Sequence, residues 1–392
     1  MKILFISQYF FPERVDFSDV CREFIKNGDE VTVLTGLPNY HLRGNKVPKE
    51  YRCGRNRKEV IDGIRVIRCT EFGRRNNIFS LLLNYVSFYF SSLRKVKALG
   101  KDFDRVICYQ YSPITMAAAA AKYAKKNKCP FILYCFDVWP ESLKVYGVGE
   151  KNPIFKIVYR ISRKIYDSCD KILITSKPFA KYFETVHKVP KKKIFYLPQF
   201  TRDYGKDLKK VKSDGKIHLL FAGNVGKAQN VDCIIEAAEK IKTNKDFVVD
   251  VVGNGPERQR LVDLVKRKKL GDRIVFHGEK NDKDMVDFYS RADVLLLTMK
   301  DNGTYVSRTM PLKTQSYMST GKPILASING AAKEAIEEYK CGYCVRANDA
   351  EAFAKIIKMF IEERPKVSYK MDKRFLLEGN VEELMKLVKE NV

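Results

Sequence analysis

Residues 304–316 combine the side-chain types that bind phosphate groups. Two positive charges, those of Arg308 and Lys313, lie close together in this segment. Four hydroxyl groups accompany them: those of Thr304, Tyr305, Ser307 and Thr309. Pro311 predicts the start of a helix, where unpaired backbone N–H groups attract anions. An apolar run at 323–327 predicts a buried strand soon afterwards. The segment is therefore a candidate site for a diphosphate group.

A glycine-containing turn at residues 221–232, FAGNVGKAQNVD, is a second candidate for phosphate binding. Gly223 and Gly226 permit a tight turn between a strand and a helix, and the N–H groups of such a turn can face an anion. Lys227 adds a positive charge beside them. An ordinary strand-to-helix connection would explain the same pattern. Together with residues 304–316, however, the turn favours a site for a diphosphate ligand.

Two carboxylates follow a predicted strand in the segment YCFDVWPESL, residues 134–143. Asp137 and Glu141 stand on either side of Trp139, the only tryptophan of the chain. A carboxylate at a strand end can bind a sugar hydroxyl or act as a general base. It can equally cap the N-terminus of a helix. These residues alone leave both interpretations open.

Strand-length apolar runs alternate with helical patterns along the chain, which predicts parallel sheets covered by helices. The alternation runs from residue 2 to residue 175 and starts again after the polar segment 211–216. A chain of 392 residues exceeds one ordinary core, and 45% hydrophobic residues can supply two. The expected fold class is α/β, with two facing doubly wound, Rossmann-like domains. Ligands of such sheets bind beyond the carboxyl ends of the strands, so the predicted site is the inter-domain cleft.

The chain is strongly basic, with 73 Lys and Arg against 47 Asp and Glu and a formal net charge of +26. This charge favours a polyanionic partner, either nucleic acid or an anionic membrane face, unless it merely solvates the surface. The sequence has no basic helix patterned for a DNA groove and no aromatic stacking motif, so nucleic acid is not an expected partner. No run of 18 apolar residues predicts a transmembrane helix. Of the ten cysteines only Cys341 and Cys344 have CxxC spacing, and this pair stands alone. The cysteines therefore indicate reduced thiols, a cytoplasmic location and no zinc site.

The segment IFSLLLNYVSFYFSSL, residues 78–93, is apolar but too short to span a bilayer comfortably. Basic residues follow it at Arg94, Lys95, Lys97 and Lys101. A helix lying in the plane of an anionic membrane has this composition, with aromatic side chains at the interface and lysines beside them. A fully buried packing helix is the alternative. The net charge of the chain favours the membrane.

Several segments, in order, resemble the C-terminal domain of family 4 glycosyltransferases, which are retaining enzymes of the GT-B fold. They are FAGNVGKAQNVDCIIEAAEKI, VVGNGPERQRLVDLV, IVFHGEK with MVDFYSRADVLLLTM, and PLKTQSYMSTGKPILASING. In the N-terminal half, SQYFFPE, VTVLTGLPNYH and DVWPESL resemble the branch that contains bacterial fucosamine transferases of O-antigen and capsule synthesis. The resemblance covers nearly the whole chain. It implies an N-terminal acceptor-side domain at 1–198, with the helix 376–392 as a candidate addition, a linker at 199–216, and a donor domain at 217–375.

The resemblance also assigns candidate residues to each side of the reaction. The donor-binding candidates are Gly223, Asn224, Lys227, Gln229, Thr309, Lys313 and Ser316. The acceptor-side candidates are Glu13, Asn39, His41 and Glu141. The catalytic candidates are Asp137, Arg308 and Lys313. His218 and His277 fall in or beside predicted strands and are interpreted as structural.

The chain departs from the family pattern at positions that usually contact the donor. The family's two glutamates fall on Arg308 and Ser316. Its diphosphate-binding Arg and Lys fall on Asn224 and Gln229, and its histidine before the cleft aspartate falls on Phe136. The lost positive charge has three candidate replacements: Lys227, Arg308 and Lys313. The resemblance is thus stronger for the fold than for the individual site residues.

The resemblance implies a retaining glycosyltransferase of surface polysaccharide synthesis. It would move a sugar from a nucleotide diphosphate donor, expected to be UDP-linked, to a polyprenyl-linked or other saccharide acceptor. No metal or other cofactor is implied. With the basic charge, it predicts a cytoplasmic enzyme peripheral to the inner face of the cell membrane. One alternative is a non-hydrolysing nucleotide-sugar 2-epimerase of the same fold, although the carboxylate and histidine set it needs is not evident. A nucleic-acid-binding protein is an alternative that rests on charge alone.

Overall fold

The computed structural model of the chain describes residues 1–13, 15, 17–40, 46–74 and 77–390. The chain divides into two compact units. The first unit is Met1–Pro198 together with Leu377–Val392, and the second is Gln199–Leu376. Each unit contains its own sheet, in which neighbouring strands are parallel with one exception at an edge.

The described residues of the first unit form an eight-stranded sheet. Its strands are β1 (Lys2–Ile6), β2 (Glu30–Thr35), β3 (Lys58–Ile61), β4 (Ile64–Arg68), β5 (Arg105–Gln110), β6 (Phe131–Cys135), β7 (Lys171–Ile174) and β8 (Ile194–Tyr196). The order is β3-β4-β2-β1-β5-β6-β7-β8, and only β3 runs antiparallel to its neighbour. The helices between them are α1 (Phe17–Lys26), α2 (Ile78–Lys95), α3 (Ala118–Asn127), α4 (Pro153–Asp167) and α5 (Pro178–Thr185). The strand order reverses between β1 and β5.

The described residues of the second unit form a six-stranded parallel sheet. Its strands are β9 (Ile217–Ala222), β10 (Phe247–Val252), β11 (Ile274–Gly278), β12 (Val294–Thr298), β13 (Ile324–Ser327) and β14 (Gly342–Val345). The order is β11-β10-β9-β12-β13-β14, so the reversal lies between β9 and β12. The helices are α6 (Val231–Lys240), α7 (Arg258–Arg267), α8 (Asp282–Arg291), α9 (Leu312–Ser319), α10 (Ala331–Glu338) and α11 (Ala350–Glu363), and α12 (Leu377–Lys389) follows in the first unit.

Both faces of the second sheet are buried by helices. Leu219 and Phe221 of β9 pack in one apolar cluster with residues of α6, α7 and α11. Leu220, between them, packs on the other face with residues of α9 and α10. Alternate residues of a strand point to opposite faces, so a strand covered on both sides is largely apolar, as the run IHLLFA is apart from His218. The predicted pair of doubly wound α/β domains is confirmed.

Residues 199–216, expected as a linker, make contacts within the second unit. Thr201 forms an isolated β-bridge with Leu376, and the Tyr204 ring packs 4.8 Å from the Tyr289 ring. The backbone N–H of Lys209 donates to the Ser290 hydroxyl at 2.9 Å. The segment is therefore polar because it runs over the surface of the second unit, and it packs on that unit instead of forming an unpacked linker.

The helix α12 packs in the first unit. The Lys171 ammonium donates to the carbonyl of Leu387 at 2.8 Å, and the Arg105 guanidinium donates to the carbonyl of Val388 at 3.0 Å. Both acceptors lie in the last turn of α12, where carbonyl groups lack helical partners and attract cations. The helix α12 thus belongs to the same unit as the first 198 residues.

Candidate functional site

The loops after β9 and β10 touch through their backbones at the carboxyl edge of the second sheet. A β-carbon on Gly253 would lie 1.8 Å from the Gly223 carbonyl oxygen, and one on Gly255 would lie 2.4 Å from the Val225 carbonyl oxygen. Gly223 and Gly253 both have φ of +141°, which favours glycine. This close approach exposes backbone next to the point where strand order reverses, the place where doubly wound sheets bind ligands.

Lys313 points its ammonium group into this edge. It is the second residue of α9, and its Nζ lies 4.2 Å from the centroid of the Phe221 ring and 3.7 Å from where a β-carbon on Gly223 would lie. Although the residue as a whole is half-buried, Nζ itself is buried and has no hydrogen-bond partner among the described residues. Burial lowers the pKa of Lys313 to about 7. An unpaired buried cation is costly, which indicates a position kept for an anionic ligand.

Arg308 is already paired, unlike Lys313. It ends a short 3-10 turn, is half-exposed, and donates from Nε to Asp301 at 3.2 Å. Asp301 also accepts from the Asn329 amide at 2.7 Å and from the Gly303 backbone at 2.8 Å. Burial alone would raise the pKa of Asp301, but these hydrogen bonds bring it down to about 2. Asp301, which the sequence analysis missed, neutralises part of the charge predicted for the phosphate site.

Two hydroxyls of the predicted phosphate cradle are used within their own loop. The Thr304 hydroxyl donates to Asn302 at 2.8 Å, and the Ser307 hydroxyl lies 2.9 Å from both Asp301 and the Thr304 carbonyl. Thr309 is half-buried in the same loop. The hydroxyl-rich composition of residues 304–309 thus largely serves the turn itself. The helix predicted near Pro311 is present as α9, with Pro311 at its N-cap position.

The remaining donor-side candidates lie around the Gly223 turn or on α9. Lys227 is exposed and Gln229 is half-buried in a 3-10 turn, and the Asn224 amide donates to the Gln229 side chain at 3.5 Å. The Gln229 carbonyl accepts from the Thr298 hydroxyl at 2.7 Å. Ser316 lies on α9, and its hydroxyl is 2.8 Å from that of Thr201. Their contacts with a donor stay predictions.

In the first unit, Glu13 organises the loop that follows β2. Its carboxylate is buried and accepts from three backbone N–H groups: Phe10 at 3.0 Å, Asn39 at 2.7 Å and Tyr40 at 2.6 Å. Burial raises the pKa of Glu13 to about 7, against the pull of these donors. A buried carboxylate that accepts three backbone N–H groups fixes a loop and has at most one acceptor position left for a substrate. Glu13 therefore acts by positioning Asn39 and Tyr40.

Asn39 belongs to a buried polar network that sequence reasoning missed. Its amide donates to Glu71 at 2.5 Å, and Glu71 also accepts from Gln8 at 3.0 Å. The amide of Asn84, on α2, lies 3.3 Å from the Asn39 carbonyl oxygen. Burial, followed by the neighbouring charge of Glu13, raises the pKa of Glu71 well above its usual range. Gln8, Asn39 and Glu71 each follow a strand, a position that the sequence does show.

We expect Glu13→Gln to lower the free energy of unfolding by about 1–3 kcal/mol, since an amide NH2 cannot accept the backbone N–H that the second oxygen serves. Urea denaturation measures this change. Glu30→Gln, an exposed glutamate at the start of β2, is the matched control and should leave stability unchanged. Equal midpoints for the two variants would show that the network around Glu13 is not organised by its carboxylate.

Asp137 is held by three donors at the end of β6. The hydroxyls of Ser112 and Ser142 both donate to it, and the indole N–H of Trp139 donates at 3.1 Å. Burial raises the pKa of Asp137 although these bonds oppose the shift. The N-cap alternative is wrong for Asp137, because the 3-10 turn that follows, Glu141–Tyr146, has Pro140 at its N-cap position and no side-chain cap. A fixed carboxylate beside a tryptophan suits a contact with an acceptor hydroxyl, and that role stays a prediction.

The other acceptor-side candidates are less informative. Glu141 is buried and pairs with Lys144 at 2.9 Å, a local contact that stabilises its turn. His41 lies outside the described residues. The structural interpretation of His218 and His277 fits their contacts, because they lie 2.9 and 2.6 Å from the carboxylate of Asp250.

The helix α2 exposes several large apolar side chains and buries Asn84, Phe88 and Ser92. Phe79, Leu82 and Phe90 are 68%, 57% and 65% exposed, whereas Asn84 is fully buried. The alternative of a fully buried packing helix is therefore wrong. The buried amide of Asn84 is paired, because it donates to Asn39 and to the Phe72 carbonyl.

Two features are absent from the described part of the chain. No helix there combines the length and apolar character needed to cross a membrane. No group of three or more His, Cys, Asp or Glu side chains there could hold a metal ion. Independence from metals stays a prediction.

Comparison with known proteins gives matches for both halves of the chain. Residues 17–201 match Glycosyltransferase Family 4, and residues 204–375 match Glycosyl transferases group 1. Among solved structures, Alr3699/HepE of Anabaena, crystallised in complex with UDP, superposes with a TM-score of 0.66 over 99% of this chain and 95% of its own, at 14% identity.

Curated relatives match parts of the chain at low identity. The probable glycosyltransferase WbjE of Pseudomonas aeruginosa is 26% identical over 59% of this chain and 60% of its own length. The putative colanic acid biosynthesis glycosyltransferase WcaL of Salmonella typhimurium is 26% identical over 38% of this chain and 37% of its own. The chain thus spans less than two thirds of each of these relatives.

The two Rossmann-like domains and these matches define the chain as a glycosyltransferase of the GT-B fold. More narrowly, its N-terminal half is a Glycosyltransferase Family 4 domain and its C-terminal half a Glycosyl transferases group 1 domain. The finer resemblance to fucosamine transferases stays a prediction.

Proposed function

We propose that this chain transfers a sugar from a UDP-linked donor to a lipid-linked saccharide in surface polysaccharide synthesis, with retention of the anomeric configuration. The observation that carries the proposal is the buried ammonium group of Lys313 beside the glycine backbone after β9, which has no hydrogen-bond partner in the part of the chain that the structure describes. A diphosphate would supply the missing partner, and a UDP complex of a protein with this fold supports that choice.

In this proposal Lys313 acts on the leaving group. Cleavage of the sugar–phosphate bond leaves negative charge on the diphosphate, and a fixed cation stabilises that charge more in the transition state than in the bound donor. Backbone N–H groups at the start of α9 would add to the same effect. Asp137, in the other unit, would orient the acceptor hydroxyl, and the leaving diphosphate itself would assist its deprotonation on the front face.

The proposed location is the inner face of the cell membrane, where a lipid-linked acceptor would be available. Support comes from the exposed apolar side chains of α2, from Arg94 and Lys95 in its last turn, and from the net charge of +26. Apolar burial and attraction to anionic lipid act together in interfacial helices.

The reaction can be tested with purified protein, a panel of UDP-sugars, and a farnesyl diphosphate-linked N-acetylhexosamine as acceptor. We expect one UDP-sugar to raise the melting temperature and UDP release to require the acceptor. NMR of the product would show the donor's anomeric configuration. Conversion of UDP-N-acetylhexosamine without any acceptor would favour the 2-epimerase instead, and absence of both binding and UDP release would contradict the proposal.

Transfer should be independent of divalent metal, because the proposed charge stabilisation comes from Lys313 and backbone N–H groups. We expect activity in excess EDTA to equal activity in buffer alone, measured as UDP release over time. Loss of activity in EDTA that manganese restores would show that a metal takes part.

A further inference from the structure

We propose that Arg74 binds the phosphate group of a polyprenyl-linked acceptor and that the exposed face of α2 receives the adjoining prenyl chain. This inference rests on the proposed function, because it names the chemistry by which the acceptor would be recognised. It concerns only the first unit. Its failure can therefore be told apart from failure of donor binding, which belongs to the second unit.

Arg74 lies among three tyrosines, here called the tyrosine cage: Tyr9, Tyr40 and Tyr85. Its Cζ is 4.7 Å from the centroid of the Tyr40 ring and 5.7 Å from that of Tyr85. Its Nη1 donates to the Tyr9 hydroxyl at 3.3 Å, and Nη2 donates to the Tyr85 hydroxyl at 3.4 Å. The faces of the tyrosine rings attract the Arg74 guanidinium and fix its orientation, so the group is positioned before any ligand binds.

The charge of Arg74 has no ion-pair partner among the described residues. In that part of the chain, two of its five N–H groups donate, and both donate long bonds to neutral phenols. Glu71 is close in sequence, but its carboxylate accepts from Gln8 and Asn39 instead. By contrast, Arg68 on β4 pairs with Glu59 at 2.6 Å. A guanidinium whose described surroundings leave N–H groups unused and supply no counter-ion matches the bidentate geometry of phosphate.

The cage is fixed by the buried network below it. The backbone N–H of Arg74 donates to the Asn39 side chain at 3.3 Å, and Asn39 is fully buried. On the other side, the Tyr9 hydroxyl donates to the Ser112 carbonyl at 3.1 Å, and the Ser112 hydroxyl donates to Asp137. A phosphate at Arg74 would therefore lie two hydrogen-bonded residues away from the carboxylate proposed to orient the acceptor sugar.

The same helix supplies a wall of the cage and an uncovered apolar face. Tyr85 belongs to α2, and its near neighbours Leu82, Leu83 and Val86 are 57%, 40% and 43% exposed. A nucleotide or a free phosphate would leave these side chains in water. A phosphate joined to a long apolar chain would satisfy the guanidinium and cover the aliphatic side chains at once. This combination favours a polyprenyl phosphate or diphosphate over other anions.

Farnesyl diphosphate is a short-chain probe for this site, with inorganic diphosphate and farnesol as its separate halves. We expect calorimetry to show binding of farnesyl diphosphate to the wild type. Arg74→Gln should weaken that binding at least about tenfold, in line with loss of a charge-assisted bond. Arg65→Gln, an exposed arginine on β4, is the matched control and should have no effect. Leu82→Ser should weaken farnesyl diphosphate but not inorganic diphosphate.

Two further measurements keep the outcome decisive. If Arg74→Gln unfolds at lower temperature, Arg74→Lys is the second variant to measure, because it retains the charge without the planar fork. Its affinity for farnesyl diphosphate should lie between those of the wild type and Arg74→Gln. Equal affinity of wild type and both variants would overturn the proposal, as would absence of binding to the wild type at millimolar probe. Loss of flotation with phosphatidylglycerol vesicles in Arg74→Gln, with farnesyl diphosphate binding unchanged, would assign the cage to bilayer lipid and also overturn it. UDP affinity should be the same in the wild type and in these variants. If none of them binds UDP, the proposed function is contradicted, but the proposal for Arg74 is not.

Discussion

Replacing Lys313 with methionine should weaken UDP binding by about 1.5–3 kcal/mol, since a charge-assisted bond to phosphate is lost. That free energy corresponds to a dissociation constant about ten to 150 times larger. The same change should leave the free energy of unfolding equal or higher, because it replaces a buried ammonium group, unpaired within the described ranges, with an apolar side chain of similar length. A loss of UDP affinity without a loss of free energy of unfolding distinguishes a ligand-binding residue from a structural one. Calorimetry with UDP and urea denaturation measure the two effects.

The control for Lys313→Met is Lys245→Met. Lys245 is exposed and precedes β10, at the opposite edge of the sheet. Its replacement should therefore change neither the UDP affinity nor the free energy of unfolding. Arg308→Ala should reduce UDP affinity less than Lys313→Met, since Asp301 already neutralises part of its charge. An unchanged UDP affinity in Lys313→Met would remove the diphosphate from this edge of the second unit.

The largest effect on membrane binding should come from Phe79→Ser combined with Phe90→Ser. Both rings are exposed on α2, so their removal should abolish most flotation with anionic liposomes while the melting temperature stays constant. Phe88→Ser is the matched variant on the same helix. Phe88 is only 1% exposed, so this change should cost about 3–5 kcal/mol of stability, the range for a buried Phe truncation.

Charge reversal at Arg94, Lys95 and Lys97 should also reduce flotation, and added salt should do the same to the wild type through screening. UDP affinity should survive all of these changes, because the proposed donor site lies in the other unit. Flotation that persists in Phe79→Ser with Phe90→Ser, and that follows only the net charge, would show that α2 does not enter the interface.

Hydrophobic patterning was sufficient to predict the fold class. Runs such as IHLLFA and the restart after residues 211–216 predict two parallel sheets, and the structure contains both. Patterning also indicated the carboxyl ends of the strands as the place where polar side chains gather. These inferences succeed because strand burial is determined by local composition and a period of two residues.

The chemical state of the site residues could not be predicted in the same way. Lys313 has no hydrogen-bond partner among the residues described, since Phe221 and Gly223, distant in sequence, line its surroundings. Arg308, similar in charge, is partly neutralised by Asp301 across a turn whose geometry the sequence does not specify. Burial and pairing depend on three-dimensional neighbours, so the two positive charges of this segment, Arg308 and Lys313, acquire different roles.

The helix α2 illustrates the same limit. Its composition alone permits burial or exposure, and it does not distinguish Phe88 from Phe90. Asn84, whose amide donates to Asn39 and to the Phe72 carbonyl, lies on the same buried side of the helix as Phe88. A buried polar group must be paired, so these partners decide which aromatic rings reach solvent.

The most direct test of the central claim is proton uptake when the wild type binds UDP. Burial lowers the pKa of Lys313 to about 7, so at pH 8 the free protein holds this side chain mostly neutral. A bound diphosphate would raise that pKa, and UDP binding should therefore take up close to one proton and weaken as pH rises above 7. Calorimetry at pH 8 in buffers of different ionisation enthalpy measures the uptake, with Lys313→Met as the control that should show none. Tight UDP binding with no proton uptake, or with the same uptake in Lys313→Met, would contradict the account.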